Sequence, residues 1–355
     1  MKTLCVGLMV KNESLNIKRT LETVKPLINY WVIVDTGSTD NTIEIIKETM
    51  KDIPGELIER PWKDFGHNKS ELLAFAKDKS DYLLILDADM IVKINNFNKD
   101  NLIEDVYNIL INWGISYYMP LLINNRKTWK SIGVVHTYLQ TEGHYTQKQL
   151  DTITILHDRI GVPREKGKRD IKILLDGLKE EPNNSRYMFY LAQAYKDEKE
   201  YQSAIEWYTK RINRGGWSEE VFYSYYIIGF CFEKLNKLDD AKKYYLKAWE
   251  YKPSRAEPLY RLVKIYRNLK DYNNAYFYAK KGLAISYPKD ILFIEGNVYK
   301  YLLIFEKSIS SYYLGYYKES YNDCTKIIQM DGVSEEIKNQ TKLNQKFSEE
   351  KLKNV

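Results

Sequence analysis

The chain has 355 residues, enough for two domains that each bury their own core. Hydrophobic residues make up 44% and charged residues 29%, which excludes a disordered chain. The net charge of +6 is spread along the chain among acids, which favours a small anionic ligand over a dedicated nucleic-acid surface.

Cys5, Cys231 and Cys324 are far apart, odd in number and outside any Cys-x-x-Cys pair. That spacing argues against a disulfide framework or a structural zinc site, and for a reducing compartment. The stretch from Met1 to Val10 lacks a small-residue cleavage site and runs directly into Lys11-Asn12-Glu13, so it reads as a strand rather than a signal peptide. No run approaches the ~20 apolar residues of a membrane span, and the expected location is the cytoplasm.

Up to about residue 160, short apolar runs at 4–10, 31–34, 57–58 and 82–86 alternate with amphipathic stretches at 15–24, 42–50 and 69–76. This alternation predicts a mostly parallel, Rossmann-like sheet with helices on its faces. Ligands of such sheets bind beyond the carboxyl ends of the strands. Residues 1–160 form the expected catalytic domain, 161–331 a helical domain, and 332–355 a charged tail or capping helix.

The helical half repeats one frame. Leu191-Ala192 with Tyr195, Ala204 and Tyr208 is the first copy, and Ile228-Gly229 with Phe232, Ala241, Tyr245 and Ala248 is the second. Leu262-Val263 with Tyr266, Ala275, Ala279 and Gly282 is the third, and a looser fourth runs through Tyr317 and Ser320 to Cys324. Ala241 and Ala275 are one tetratricopeptide period of about 34 residues apart. The extra residues between Ala204 and Ala241 predict a short insertion. Small residues let paired helices pack closely, and much of the tyrosine excess (31 in all) fills the gaps between pairs. The remaining tyrosines are candidates for a concave binding groove.

The strongest local signal is Asp87-Ala88-Asp89, directly after a buried apolar run. Two carboxylates there either cap a turn or hold a divalent cation, Mn or Mg, that bridges two phosphates. Val34-Asp35-Thr36-Gly37-Ser38-Thr39-Asp40 is a strand end followed by a turn and a helix start. It reads as a capped helix start with Gly37 at positive φ, or as a site where Asp35 meets a base or ribose. It lacks the G-x-G-x-x-G spacing of a dinucleotide fingerprint. Val10-Lys11-Asn12-Glu13 is a polar triplet at a strand end. Trp62 and Phe65 sit in a loop, where they plug the core or offer a planar base a stacking face. Asn68 and Lys69, at a helix start, are candidates for phosphate or base edges. His136 and His157 are structural histidines or, for His157, a third metal ligand. The basic run Arg159, Arg164, Lys166, Lys168 and Arg169 is a solvated linker or a cover over a diphosphate.

Together these motifs resemble the family 2 glycosyltransferases of the GT-A fold, in the group with a C-terminal tetratricopeptide array. The ordered matches are Val10-Lys11-Asn12-Glu13, the 34–40 segment, Pro61-Trp62-Lys63-Asp64-Phe65 with Asn68-Lys69-Ser70, Leu86-Asp87-Ala88-Asp89, Val135-His136 and Ile155-Leu156-His157. They continue through Arg169-Asp170, Phe189-Tyr190-Leu191-Ala192-Gln193 and Gly215-Gly216-Trp217. The resemblance implies a nucleotide-sugar donor, with uridine diphosphate as the expected carrier, a divalent metal, and inversion at the anomeric carbon. It places Glu13, Asp35, Trp62 and Lys69 around the nucleoside, with Val10, Asn12, Gly37 and Asn68 as further candidates for binding the donor. It places Asp87 and Asp89 at the metal and diphosphate; Ala88 between them and His157, as a third metal ligand, are the further candidates.

Inversion requires a base for the acceptor. Relatives carry Glu after the His of Val135-His136, where this chain has Thr137. Glu142 and Asp158 are the replacement candidates, with His136 beside them; an acceptor as acidic as a thiol needs little help. The acceptor is expected to be a protein, peptide or glycan, and the repeats to dock it or a second copy of the chain. Two rivals stand. One is an inactive, nucleotide-binding transferase domain on a repeat scaffold, which Thr137 favours. The other is a nucleotidyltransferase, which the missing Gly- and Lys-rich triphosphate loop disfavours.

Overall fold

The computed structural model describes residues 1–113, 115–161 and 166–353, leaving aside the side chains of residues 113, 115 and 116. Two compact units divide the chain, residues 1–177 and 178–355.

The first unit opens with β1 (Leu4–Val10), α1 (Ile17–Val24), β2 (Tyr30–Asp35), α2 (Thr42–Met50), β3 (Gly55–Glu59), α3 (Phe65–Ala76) and β4 (Tyr82–Leu86). It continues with β5 (Met90–Ile94), β6 (Val106–Trp113), β7 (Ile115–Asn124), β8 (Trp129–Ile132), β9 (Tyr138–Thr141) and β10 (Gln147–His157). Helix α4 (Lys166–Glu180) carries the chain into the second unit.

The main sheet has the order β3-β2-β1-β4-β7-β6-β10-β5, and β8 and β9 form a separate hairpin. Strands β1 to β4 are mutually parallel, as the alternating pattern predicts. Strand β7 runs against β4, β6 against β7, β10 with β6, and β5 against β10. Six strands therefore point one way, and their carboxyl ends share one edge.

Strand β1 is buried on both faces. Leu4, Val6, Leu8 and Val10 pack with Ile17, Leu21 and Val24 of α1 and with Ile46 and Met50 of α2. Cys5 and its neighbours Val32 and Val34 pack with Leu72, Leu73 and Ala76 of α3. Period-two alternation sorts these side chains between two helical layers. Helix α3 begins four residues before the expected start, because Asp64 caps it by accepting from the His67 amide at 2.7 Å. A Cβ on Gly66 would lie 2.3 Å from the Gly133 carbonyl oxygen. Glycine thus lets α3 press against the loop after β8.

The second unit is helical: α5 (Ser185–Asp197), α6 (Tyr201–Arg214), α7 (Ser218–Lys234), α8 (Leu238–Tyr251), α9 (Glu257–Asn268), α10 (Tyr272–Leu283), α11 (Leu303–Tyr313), α12 (Tyr317–Gln329) and α13 (Glu335–Lys353). The repeat frame falls on α5/α6, α7/α8, α9/α10 and α11/α12. Ala204, Ala241, Ala248, Ala275 and Ala279 are fully buried, as are Tyr208 and Tyr245. The insertion between the first two copies is Gly215-Gly216, both at positive φ, after α6. The charged tail is a docked helix: Ser348 of α13 bonds Ser320 of α12 in the interior.

Candidate active site

The register sets Val10 beside Asp35 and Leu8 beside Leu86, so three loops leave the sheet side by side. Strand β10 ends at the same edge, where His157 pairs with Met90 of β5 and the Asp158 amide donates to the Asp89 carbonyl at 3.0 Å. Segments far apart in sequence thus meet around Asp89.

A cavity of about 400 Å³ opens there, lined by Met9, Val10, Lys11, Asn12, Glu13, Thr36, Trp62, Phe65 and Arg169. Its size sits low in the usual ligand-pocket range of about 300–1,000 Å³. Trp62 and Phe65 are half-buried and meet edge to face at 4.9 Å, and the Arg169 guanidinium lies 4.8 Å over the Phe65 ring. Both rings line the cavity wall and are not core plugs. The charged lining residues are Lys11, Glu13 and Arg169, and Arg169 is also paired with Asp170 at 2.7 Å.

The turn after β2 shapes one wall. Asp35 is 1% exposed, and its carboxylate accepts from the Gly37 and Ser38 amides at 2.9 Å each and from the Ser38 hydroxyl. Gly37 has φ +95°, a backbone that β-carbon-bearing residues rarely adopt. Asp35 therefore builds the turn, and its neighbour Thr36 lines the cavity. Asn12, at φ +54°, ties this turn to the first loop by accepting from the Thr39 amide at 2.7 Å.

Beside the cavity lies a buried charge cluster. Glu13 and Asp89 are 6% and 8% exposed, and one guanidinium bridges them: Nη1 of Arg159 is 3.3 Å from Glu13 Oε1 and 3.1 Å from Asp89 Oδ2. Asn16 donates to Glu13 Oε2 at 3.1 Å, and His157 Nε2 stands 3.4 Å from Asp89 Oδ1. Burial works against the charge on Arg159, but Glu13 and Asp89 outweigh it and raise its pKa. Asp87 is exposed at the tip of the same turn, while Ala88 is buried and its carbonyl accepts from Thr20 of α1 at 2.6 Å. Burial, helped by the charge of Asp87, raises the Tyr117 pKa; Tyr117 lies on β7, which runs against β4, five residues beyond the partner of Leu84 toward the carboxyl edge.

Several expectations need correction. Asn68 is fully buried and holds its own loop, donating to Pro61 and Glu71 and accepting from the Lys63 amide, so it has no face for phosphate or base. Lys69 is half-buried one step further along α3 and does not line the cavity. Glu142 is at the wrong end of the sheet. It follows Thr141, which pairs with Trp129, and the Trp129 indole donates to the carbonyl of Asn124, the residue opposite the first residue of β4. The length of β4 separates that edge from Asp87, about 17 Å at ~3.3 Å per residue. Asp158 is at the right edge, but its carboxylate is paired with Arg19 of α1 and more than half exposed. His136 is exposed at φ +48°, two residues beyond the Val134 carbonyl that accepts from the Phe65 amide. Arg164 lies outside the described residues.

The donor set fits a hard cation only in part. Among the described residues no three His, Cys, Asp or Glu side chains converge closely enough to hold a metal by themselves. Asp87 and Asp89 with His157 suit an ion whose coordination is completed by substrate phosphates and water, the habit of Mg. Asn16 and Tyr117 are the site residues that sequence reasoning did not single out. Arg159 was named there as the first residue of the basic run, though not as a partner of Glu13 and Asp89; Asn16, three residues after Glu13, was read only as part of the amphipathic stretch 15–24, and Tyr117 had no signal because only the sheet order brings it to the edge.

A cavity and an acid pair at the carboxyl edge of a mostly parallel sheet mark a candidate ligand site in an α/β domain, here followed by helical repeats. Residues 5–99 match the family model described as glycosyl transferase family 2, and residues 222–255 and 256–287 match that of the tetratricopeptide repeat. The chain thus carries a family 2 glycosyltransferase domain followed by tetratricopeptide repeats. It is similar to the SPbeta prophage-derived glycosyltransferase SunS of Bacillus subtilis (strain 168), at 25% identity over 229 residues, 59% of this chain and 53% of that one. It is also similar to an uncharacterized glycosyltransferase of Rickettsia prowazekii (strain Madrid E), at 33% identity over 89 residues, 25% of this chain and 28% of that one. The chain spans about half the length, or less, of the curated relatives it matches. Among solved structures, BtubC (BKLC) from P. vanneervenii is similar at 13% identity and a TM-score of 0.42, covering 53% of this chain and 82% of that one. Among the described residues no helix is long and apolar enough to cross a membrane.

Proposed function

We propose that the first unit is an inverting glycosyltransferase that takes a sugar from a uridine diphosphate donor. The observation that carries this reading is the buried Glu13–Arg159–Asp89 cluster set beside an aromatic, cationic cavity at the carboxyl edge of the sheet. Trp62 and Phe65 offer a stacking face to the base, with Glu13 and Asn12 near the ribose. Lys11 and Arg169 face the diphosphate.

Asp87, Asp89 and His157 would hold Mn or Mg together with the donor's phosphates. Such a cation would offset the charge that builds on the departing diphosphate. The chain's own residues position the donor so that an acceptor attacks the anomeric carbon from the opposite face. The bond to the diphosphate oxygen breaks as the new bond forms. Of the base candidates, Asp158 is the one whose backbone is fixed to Asp89, and swinging off Arg19 would bring its carboxylate to the acceptor.

The test is donor turnover with manganese, then with chelator, in the native chain and in Asp89→Ala. Equal rates in the two proteins would refute the assignment of Asp89. A second reading, a nucleotide-binding scaffold, is favoured by Thr137 and by the hold of Arg159 on Asp89. It requires donor binding without turnover for any acceptor, and detectable hydrolysis of the donor excludes it.

A further inference from the structure

The second unit holds a cavity of its own, near the end of the array. Its volume is about 470 Å³, within the usual range of about 300–1,000 Å³ for small-ligand sites. Its walls come from the last helix pair, α11 and α12, and from α13, the helix that closes the array, with Arg267 of α9 at one side.

Aromatic rings form part of the wall. Tyr313 is 58% exposed and Phe347 53%, although both line the cavity. Tyr272 stacks on Tyr313 at 4.2 Å with the planes 8° apart, and Tyr312 meets Tyr313 edge to face at 5.4 Å. The Tyr313 ring is thus held in place while part of it stays open to solvent, a preordering that lowers the cost of binding. The polar part of the wall is neutral. Gln340 donates to Asn344 Oδ1 at 3.0 Å, one turn further along α13. The Asn344 amide nitrogen is shut off from water and has no hydrogen-bond partner among the described residues. A buried donor without a partner is costly, and a ligand that accepts from it removes that cost. Arg267 is the one charged side chain of the wall among the described residues, and Glu306 already pairs with it.

We propose that this cavity binds a carbohydrate, as a neutral sugar or the end of a short glycan. A pyranose ring offers an apolar face of C–H groups and a rim of hydroxyls that both donate and accept. The faces of Tyr313 and Phe347 suit the first, and the side-chain amides of Gln340 and Asn344 suit the second. Other ligand classes fit less well. An anion would meet no unpaired cation in the wall, and a cation would meet no carboxylate. A wholly apolar ligand would leave the Asn344 donor without a partner. The cavity lies within the second unit, so the assignment stands whether or not the first unit transfers a sugar.

The experiment uses the full chain without nucleotide, with cellobiose, lactose and N,N′-diacetylchitobiose as probes and saturation-transfer NMR as the readout. At least one probe should bind the native chain. Phe347→Leu keeps an apolar side chain but removes the ring, and should weaken that binding roughly tenfold, as should Asn344→Ala. Phe347→Tyr should bind as the native chain does, a rescue that depends on the ring face. Urea midpoints of the same proteins check that each is folded, and if Phe347→Leu is not, Tyr313→Leu carries the same test. Silence from all three probes with the native chain would overturn the proposal. So would binding that survives both Phe347→Leu and Asn344→Ala; its loss in Asp89→Ala would then put the sugar in the first unit.

Discussion

The two edges of the main sheet hold acids in opposite ways. At the amino edge, Asp81 accepts from the Thr3 amide and hydroxyl at 2.8 Å each and from Arg126 at 3.0 Å. Nearby, Asp105 is shared by Asn124, Thr146 and Lys127. Each acid there has its own set of partners, drawn from the strands it ties together. At the carboxyl edge, Glu13 and Asp89 share one guanidinium, whose buried Nε has no hydrogen-bond partner. Completed networks hold a fold together, whereas an incomplete one beside a cavity has capacity left for a ligand. The parallel strands explain the asymmetry, because their loops splay apart at the carboxyl edge and leave a crevice.

The largest expected effect separates the edges by function. Asp89→Asn should lower sugar transfer by roughly 10²–10³-fold, the usual loss when one charge-stabilising group leaves an active site. Asp105→Asn should leave the rate of the folded protein unchanged and lower only its resistance to urea. Equal loss of activity in both variants would erase the distinction.

Gly66→Ala comes next. The new methyl would meet the Gly133 carbonyl, which is backbone and has little room to retreat. Overpacking of this kind costs about 1–3 kcal/mol, read as a lower urea midpoint. Because Phe65 is its neighbour, nucleotide affinity should weaken too. Full affinity in the variant would mean that the α3 start does not shape the cavity.

Arg159 tests whether the shared guanidinium competes with a cation. Arg159→Gln removes the charge that holds Asp89, so manganese alone should bind roughly tenfold more tightly, about 1.4 kcal/mol. Calorimetry without nucleotide reads this directly. Unchanged or weaker manganese binding would show that Arg159 and the metal do not contend for Asp89.

The edge that bears the site was far more legible in sequence than the partners at it. The apolar runs placed β1, β2 and β4, and the rule that ligands gather beyond strand ends pointed to Glu13, Trp62 and Asp89. Those residues follow their strands directly, so a local pattern suffices. Glu142 was misplaced because its position depends on the β8–β9 hairpin returning the chain to the amino edge, a long-range fact that no local spacing carries. Asn68 was misread for a related reason: a buried amide clasping its own loop and an amide facing a ligand look the same in a helix-start motif. Tyr117 reaches the site through β7, which runs against β4, and Arg159 through β10, which joins the sheet two places further across; alternation alone orders neither strand.

The smallest predicted effect is a pH dependence at the amino edge. Hydrogen bonds from the Thr3 amide and hydroxyl, helped by Arg126, lower the Asp81 pKa to about 2, against an ordinary 3.8. A depressed carboxylate contributes stability that is complete above its unfolded pKa and disappears as pH falls through the folded one. The window therefore runs from about pH 4 down to about pH 2. Solvent reaches this pair, and screening keeps its contribution small. Asp81→Asn should flatten the slope of unfolding free energy against pH in that window and leave the slope above pH 5 untouched. Salt should shrink the Arg126 share and spare the Thr3 bonds, which are short and local. If the slope survives the substitution, the acid sensitivity belongs to other carboxylates, and Asp81 does not carry the pH dependence of the amino edge.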